Sequence, residues 1–331
     1  MAEITRMDQI AGVKSDGEDV LGKLLYYSLS SLLVDRDTLS GICEGLGFPY
    51  RSSKRLAVAD AFRSATGDIY EQKAVQTPDG PLVYKVYCRD NRSTKDILSR
   101  ELVKETIHED TNQYKKLANV SFDRQSGVFS YDNLAFDVQV DPLTYCTQAQ
   151  ELFELYQRCV GRKQIETLLE NYLAELQAVK VVAHGKLYFV PRDQMNRLSL
   201  FEDFIKLVEQ NNQYQSHSRS PLDSNSMFVV DDEKQRGKMA AAFYRSVRRE
   251  IEQYQERANH LIQTGSQSPA VMDRCVLRIQ GLEQKKHSYE DILQRELHDL
   301  DDEFTSLGYL SDELRIRARG IRAQKERSLA A

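Results

Sequence analysis

The most regular patterning in the chain lies at 238–310, where apolar residues recur at steps of three and four. Phe243, Val247, Ile251, Tyr254, Ala258 and Leu261 precede a break at Thr264-Gly265-Ser266-Gln267-Ser268-Pro269. Val271, Cys275, Ile279, Leu282, Tyr289, Leu293, Leu297, Leu300, Phe304 and Leu307 follow it. Steps of this kind put one apolar stripe on each of two helices, with Arg, Glu, Gln and Lys on the remaining faces. The Gly/Ser/Pro break between them predicts an antiparallel helical hairpin over 236–313, coiled-coil-like in its repeat.

Upstream the pattern changes twice. Residues 1–17 carry little periodicity and read as a flexible N-terminus. From Asp19 to Leu33 the run is apolar on most sides, which predicts a buried helix. Asp35-Arg36-Asp37 offers an N-cap to a short helix closed by Gly45 and Gly47, and Ser52/Ser53 can start another that Gly67 closes. The period then drops to two. Ile69–Gln76 and Leu82–Arg89 flank the turn Thr77-Pro78-Asp79-Gly80, and Leu98–His108, Tyr114–Asp123, Val128–Tyr131 and Leu134–Val140 continue the alternation. Strands joined in sequence by tight turns make an antiparallel meander. The first domain is thus expected at 18–142.

Helices return at Thr147–Cys159 and Lys163–Gln177, followed by a hairpin of Val179–Ala183 and Lys186–Val190 about His184-Gly185. Two helices and a hairpin outline a winged-helix-like segment over 143–210, with a further helix at Leu198–Glu209. Gln210–Ser226 is rich in Asn, Gln and Ser, so 211–235 is expected to be a linker. A basic tail closes the chain at 314–331. The expected fold class is α+β: a meander with helices, a winged-helix-like middle and a C-terminal helical hairpin.

Composition narrows the function classes. The chain has 331 residues, 41% hydrophobic and 29% charged, which suits a soluble globular protein of more than one core. Its apolar runs fall short of a membrane span and the N-terminus lacks an apolar signal core, so no membrane partner and a cytoplasmic location are expected. Five scattered cysteines without a C-x-x-C, and six scattered histidines, argue against a disulfide framework and a structural metal. The net charge of −5 gives no global attraction to nucleic acid.

Candidate chemistry is sparse. Gly17 to Lys23 fits G-x-x-x-x-G-K, but Leu24 stands where a phosphate loop needs Ser or Thr, so the fit fails. Glu71 and Lys73 suggest the E-x-K arm of a metal-dependent nuclease, with Asp60 or Asp68 as a loosely placed second carboxylate, but charged residues alternating on a solvated strand face explain them adequately. No catalytic residue, metal or cofactor is expected from these patterns. Candidate phosphate contacts are Arg162 and Lys163 at the helix turn, Lys186 in the wing, and Arg315, Arg319 and Arg322 on one face of the tail. Glu166, Glu170 and Glu175 in the reading helix oppose that use. Candidate partner-interface residues are Phe243, Val247, Tyr254, Leu293, Leu297, Leu300 and Phe304.

Three stretches, Leu21-Gly22-Lys23-Leu24-Leu25-Tyr26-Tyr27-Ser28, Asp60-Ala61-Phe62-Arg63-Ser64-Ala65-Thr66 and Gly185-Lys186-Leu187-Tyr188-Phe189-Val190-Pro191, occur in this order ahead of a helical C-terminus. Together they resemble a family of uncharacterised bacterial proteins carried by phages and mobile elements. The resemblance implies a bacterial cytoplasmic setting and brings no mechanism. The leading expectation is a non-enzymatic interaction protein whose C-terminal helices bind a protein partner or a second copy. The alternative is a nucleic-acid-binding accessory factor using the wing and the arginine-rich tail. A metal-dependent nuclease is the weaker alternative.

Overall fold

The computed structural model describes residues 20–50, 55–77, 80–107, 111–182, 184–214 and 221–330. The expected flexible N-terminus, the start Gly17 of the failed phosphate-loop pattern, Ser52/Ser53, the Pro78-Asp79 turn and 215–220 of the expected linker lie outside these residues. The fold is α+β with antiparallel sheets. The described residues form two compact units: one takes Val20–Ser28, Leu169–Ile205 and 222–330, the other those of Leu29–Leu168 and Lys206–Pro221.

The second unit is built on the meander. Strands β3 (Tyr70–Thr77), β4 (Gly80–Asp90), β5 (Ile97–Ile107), β6 (Gln113–Asp123) and β7 (Phe129–Asp132) lie side by side in sequence order. Helices α1 (Arg36–Leu46), α2 (Val58–Gly67) and α3 (Pro142–Arg158) belong to the same unit. Asp35 caps α1 by accepting from the backbone N–H groups of Asp37 and Thr38, as its sequence position predicts. Phe62 and Ala65 of α2 and Ala149 and Phe153 of α3 pack on Val86, Leu102, Val120 and Phe122 of the sheet. The alternation of β4 to β6 thus has its reason: one face meets these helices and the other meets water.

Four expectations in and beside this unit are corrected. Leu134–Val140 is not a strand. After Asn133 (φ +54°) it runs as an irregular strap, tied by Ala135 N–H donating to Leu117 O and by the Asp137 carboxylate turned inward to Lys104 and Lys115, 2.9 Å from each. The alternation is real, but its polar member is the buried one, and Phe136 and Val138 are each 85% exposed. Val160-Gly161 is not a bare turn: β8 (Cys159–Gly161) pairs with β2 (Leu33–Asp35). The helix expected across 19–33 is replaced by β1 (Val20–Ser28) and β2. A run apolar on both faces is what a central strand covered on both sides displays, and that is where β1 lies. The expected linker ends in an eight-residue strand, β11 (Asp223–Val230), whose Ser and Asn side chains suit an exposed edge.

The first unit has the four-stranded sheet β11-β1-β10-β9, with β9 (Val179–Lys180) and β10 (Leu187–Pro191) antiparallel. The helix-helix-hairpin order expected at 143–210 is present as α3, α4 (Arg162–Glu175) and β9–β10, but the hairpin is joined to β1 through β10. At the bulge in β1 a Cβ on Gly22 would lie 2.1 Å from the Val190 carbonyl oxygen, so only glycine fits there. One sheet face carries Leu21, Val179, Phe189 and Val229 into a core with α6 (Glu233–Gln263), α7 (Pro269–Leu293) and α8 (Asp301–Ala330). On the other, Tyr27 meets Phe201 of α5 (Met195–Gln210) edge-on at 5.1 Å.

The C-terminal helices number three, not two. The chain reverses at Thr264–Ser268 as expected and again at Gln294, in the left-handed region at φ +48°. Glu290 holds this second turn: its backbone oxygen accepts from Gln294 N–H and its carboxylate from Leu297 N–H at 3.0 Å. The supposed tail is the end of α8, with Leu314 and Ala318 buried. The proposed interface residues Phe243, Val247, Leu293, Leu297, Leu300 and Phe304 are buried in the chain's own core, and Tyr254 packs beside them. The apolar stripes are consumed by mutual packing of the helices, so none of these residues is an open partner surface.

Candidate functional site

Beside β9, the edge strand of the four-stranded sheet, the first unit contains a cleft of about 600 Å3. The end of α4 gives one wall with Glu170, Leu173 and Ala174, the hairpin gives Lys180 and Tyr188, and α6 gives Ser246, Glu250, Gln253 and Tyr254. Helix α7 supplies Arg278, Gly281, Leu282 and Lys285. A smaller hollow of about 220 Å3, sharing Lys180, Ser246 and Glu250, extends the cleft toward Val181, Val182, Arg245 and Arg249.

The floor is set by the way α4 ends. Gln177 takes a left-handed conformation at φ +54°, and the chain then enters β9. The carbonyl oxygen of Gln177 accepts from the Tyr289 hydroxyl at 2.9 Å, and that of Ala178 from the Lys285 ammonium at 3.3 Å. Lys285 also donates to Glu250 Oε1 at 3.1 Å, which in turn accepts from the Ser246 hydroxyl at 3.4 Å. Lys285 is only 7% exposed, and such a lysine needs polar partners to hold its charge. Burial pushes the Tyr289 phenol well above its ordinary range. Burial and then the Glu250 carboxylate raise the Tyr254 phenol, so both remain neutral hydroxyls.

The electrostatic balance of the cleft is positive. Glu250 is matched by Lys285 and Glu170 by Lys186, 3.1 Å away. Among the described residues no carboxylate pairs with Lys180, Arg245, Arg249 or Arg278; Arg245 donates to the Val181 carbonyl oxygen at 3.1 Å. Four cations unmatched by carboxylates, Arg278 on the cleft, Arg245 and Arg249 on the smaller hollow and Lys180 on both, favour an anionic ligand.

Of the residues singled out in the sequence, Tyr254 and Glu170 line the cleft, and Lys186 reaches it through Glu170 and lies over the Tyr27 ring at 5.7 Å. Arg162 and Lys163 are exposed on the first turn of α4. Arg315 pairs with Asp312 at 3.4 Å and Arg322 with Asp273, while Arg319 is exposed. The tail arginines are thus partly matched by their own unit. Glu71 and Lys73 form an ion pair at 3.0 Å on β3, and Tyr145 of α3 donates to Glu71. Asp68 instead accepts from Tyr156 at 2.6 Å, and Asp60 pairs with Arg63. Among the described residues no group of three His, Cys, Asp or Glu is placed to hold a metal ion.

The cleft residues escaped the sequence reading for a definite reason. In the stripe of α7 the step from Leu282 to Tyr289 leaves a gap, and Lys285 fills it at a core position. A lysine on an apolar stripe is the available signal. Arg245 and Arg249, one turn apart on α6, are the second.

A family model described as a family of unknown function, DUF6744, matches residues 20–320, and the chain belongs to that family. No curated protein and no solved structure matches it. Among the described residues no helix is long and apolar enough to cross a membrane.

Proposed function

We propose that this family member is a nucleic-acid-binding accessory protein whose first unit holds phosphates in the cleft beside β9. The observation that carries the reading is the set of four cations without carboxylate partners among the described residues: Arg278 on the cleft floored by the buried Lys285, Arg245 and Arg249 on the smaller hollow beside it, and Lys180 on both. Phosphate contacts release counterions, so binding must weaken steeply with salt. The test is fluorescence anisotropy with a labelled single strand and a duplex at about 50 and about 200 mM salt. The expected result is binding whose log–log salt slope falls by about two units when Arg245 and Arg249 are both changed to Ser. An Arg319→Ser, Arg322→Ser control should have the smaller effect. Binding indifferent to salt, or equal in both double variants, overturns the reading.

A second reading, a protein-interaction role, has its own observation. Phe136 and Val138, each 85% exposed, project from the strap that follows β7, with Leu134 at 47% beside them. Isolated exposed apolar residues are ordinary, but three alternating along one short segment form a patch suited to association. On this reading two copies meet through the strap. Light scattering should show a dimer that Phe136→Ser with Val138→Ser converts to a monomer; a monomer at all concentrations sinks it.

A further inference from the structure

We infer that the floor of the cleft is a mononucleotide site, with Lys285 and Arg278 holding a phosphate and the ring of Tyr254 offering a surface for a base, in a cleft whose wall also carries Tyr188, stacked on Tyr27 at 5.9 Å. The inference rests on the reading of the cleft as an anion site and specifies what unit of ligand it takes. Three observations carry it. An ammonium has three N–H donors, and among the described residues those of Lys285 meet two acceptors, Ala178 O and Glu250 Oε1, leaving one for a ligand. Two aromatic side chains and the polar Ser246 and Gln253 share the walls with the cations, whereas a plain phosphate-tracking groove needs only charge. The volume of about 600 Å3 falls within the ~300–1,000 Å3 typical of small-molecule sites. Gly281 adds to the opening: a Cβ there would meet nothing within 4 Å.

The same chemistry can arrive as a free nucleoside phosphate or as the phosphorylated end of a strand, and the experiment separates them. Isothermal titration of the full chain with AMP, adenosine and inorganic phosphate is the first arm. AMP is expected to bind at least about tenfold tighter than either half alone. Tyr254→Leu should lose about tenfold for AMP and nothing for inorganic phosphate, and Arg278→Gln, on the exposed wall, should weaken both. Lys285→Met should do the same as Arg278→Gln, and Arg278 keeps the test valid if the Lys285 variant fails to fold. AMP bound no tighter than inorganic phosphate, or unaffected by Tyr254→Leu, overturns the inference. The second arm competes AMP against an oligonucleotide with and without a 5′-phosphate. Displacement by the phosphorylated form only supports the site and identifies a strand end as its source. Oligonucleotide binding that AMP leaves untouched overturns the mononucleotide site while the nucleic-acid reading stands. AMP binding with no oligonucleotide binding supports the site and overturns that reading.

Discussion

Lys285 and Glu250 form an ion pair across two helices, 3.1 Å apart, in which the lysine side chain is 9% exposed and the glutamate 33%. The partners therefore differ in what each loses when left alone. Glu250→Gln strands an ammonium that water reaches poorly, and should cost roughly 2–3 kcal/mol in urea unfolding. Lys285→Met leaves a carboxylate that water reaches more readily and adds apolar contact, so it should cost roughly 1 kcal/mol or less. Equal losses in the two variants would contradict the geometry.

Asp137 ties the strap to the meander, and its ionisation sets an acid limit for that contact. Burial pushes its carboxyl up, but donation from Lys104 and Lys115 outweighs this and brings it down to about 2. A carboxyl depressed in the folded state contributes stability that is present above its unfolded value near 4 and lost as pH falls toward 2. Asp137→Asn should cost roughly 3 kcal/mol at neutral pH, the lower end for a broken buried pair, because Gln139 still accepts from Lys104. Thermal melts of the wild type should drop more steeply between pH 4 and 2 than those of the variant. Parallel curves would dismiss the role.

Two glycines should respond in opposite senses to alanine. At Gly22 the new methyl would lie 2.1 Å from the Val190 carbonyl oxygen, so the strand pair must separate and roughly 3 kcal/mol or more should be lost. At Gly281, inside α7 with nothing within 4 Å, alanine should stabilise by about 0.5–1 kcal/mol. Differential scanning calorimetry reads both.

Removing the basic end of the chain is not a pure change of charge. Leu314 and Ala318 are buried, and Arg317 donates to the Ile262 carbonyl at 3.0 Å. A chain ending at Glu313 should therefore lose roughly 2–5 kcal/mol, the scale of deleting a buried leucine side chain. Arg315→Ser with Arg319→Ser should remain within about 0.5 kcal/mol of wild type. If the truncated chain melts like the intact one, the packing of α8 described above is wrong.

The sequence made local structure legible wherever one residue type had one meaning. The meander was readable from its alternation, α1 from Asp35 and Gly47, and the α6–α7 reversal from Gly265 and Pro269. It was opaque where context decided. The run around Leu21–Tyr27 is equally apolar in a buried helix and a central strand, and only its neighbours β10 and β11 settle the matter. The reversal at Gln294 carries neither glycine nor proline, because Glu290 supplies the caps from the side. The cleft was hidden for a related reason: its cations come from Lys180, Arg245, Arg278 and Lys285, distant in sequence, and each alone looks like a solvated charge.

The pairing of β1 has a consequence for how the chain acquires its structure during synthesis. Each strand of the meander pairs with the next one made, so that sheet can close as it emerges. Strand β1 has no such neighbour: Gly22 waits for Pro191 and Val20 for Val230. Two apolar faces therefore stand uncovered until about 160 or more further residues have been made, and such exposed apolar surface is what a holding chaperone binds. Among the described residues, the first strand in chain order is among the last to be enclosed.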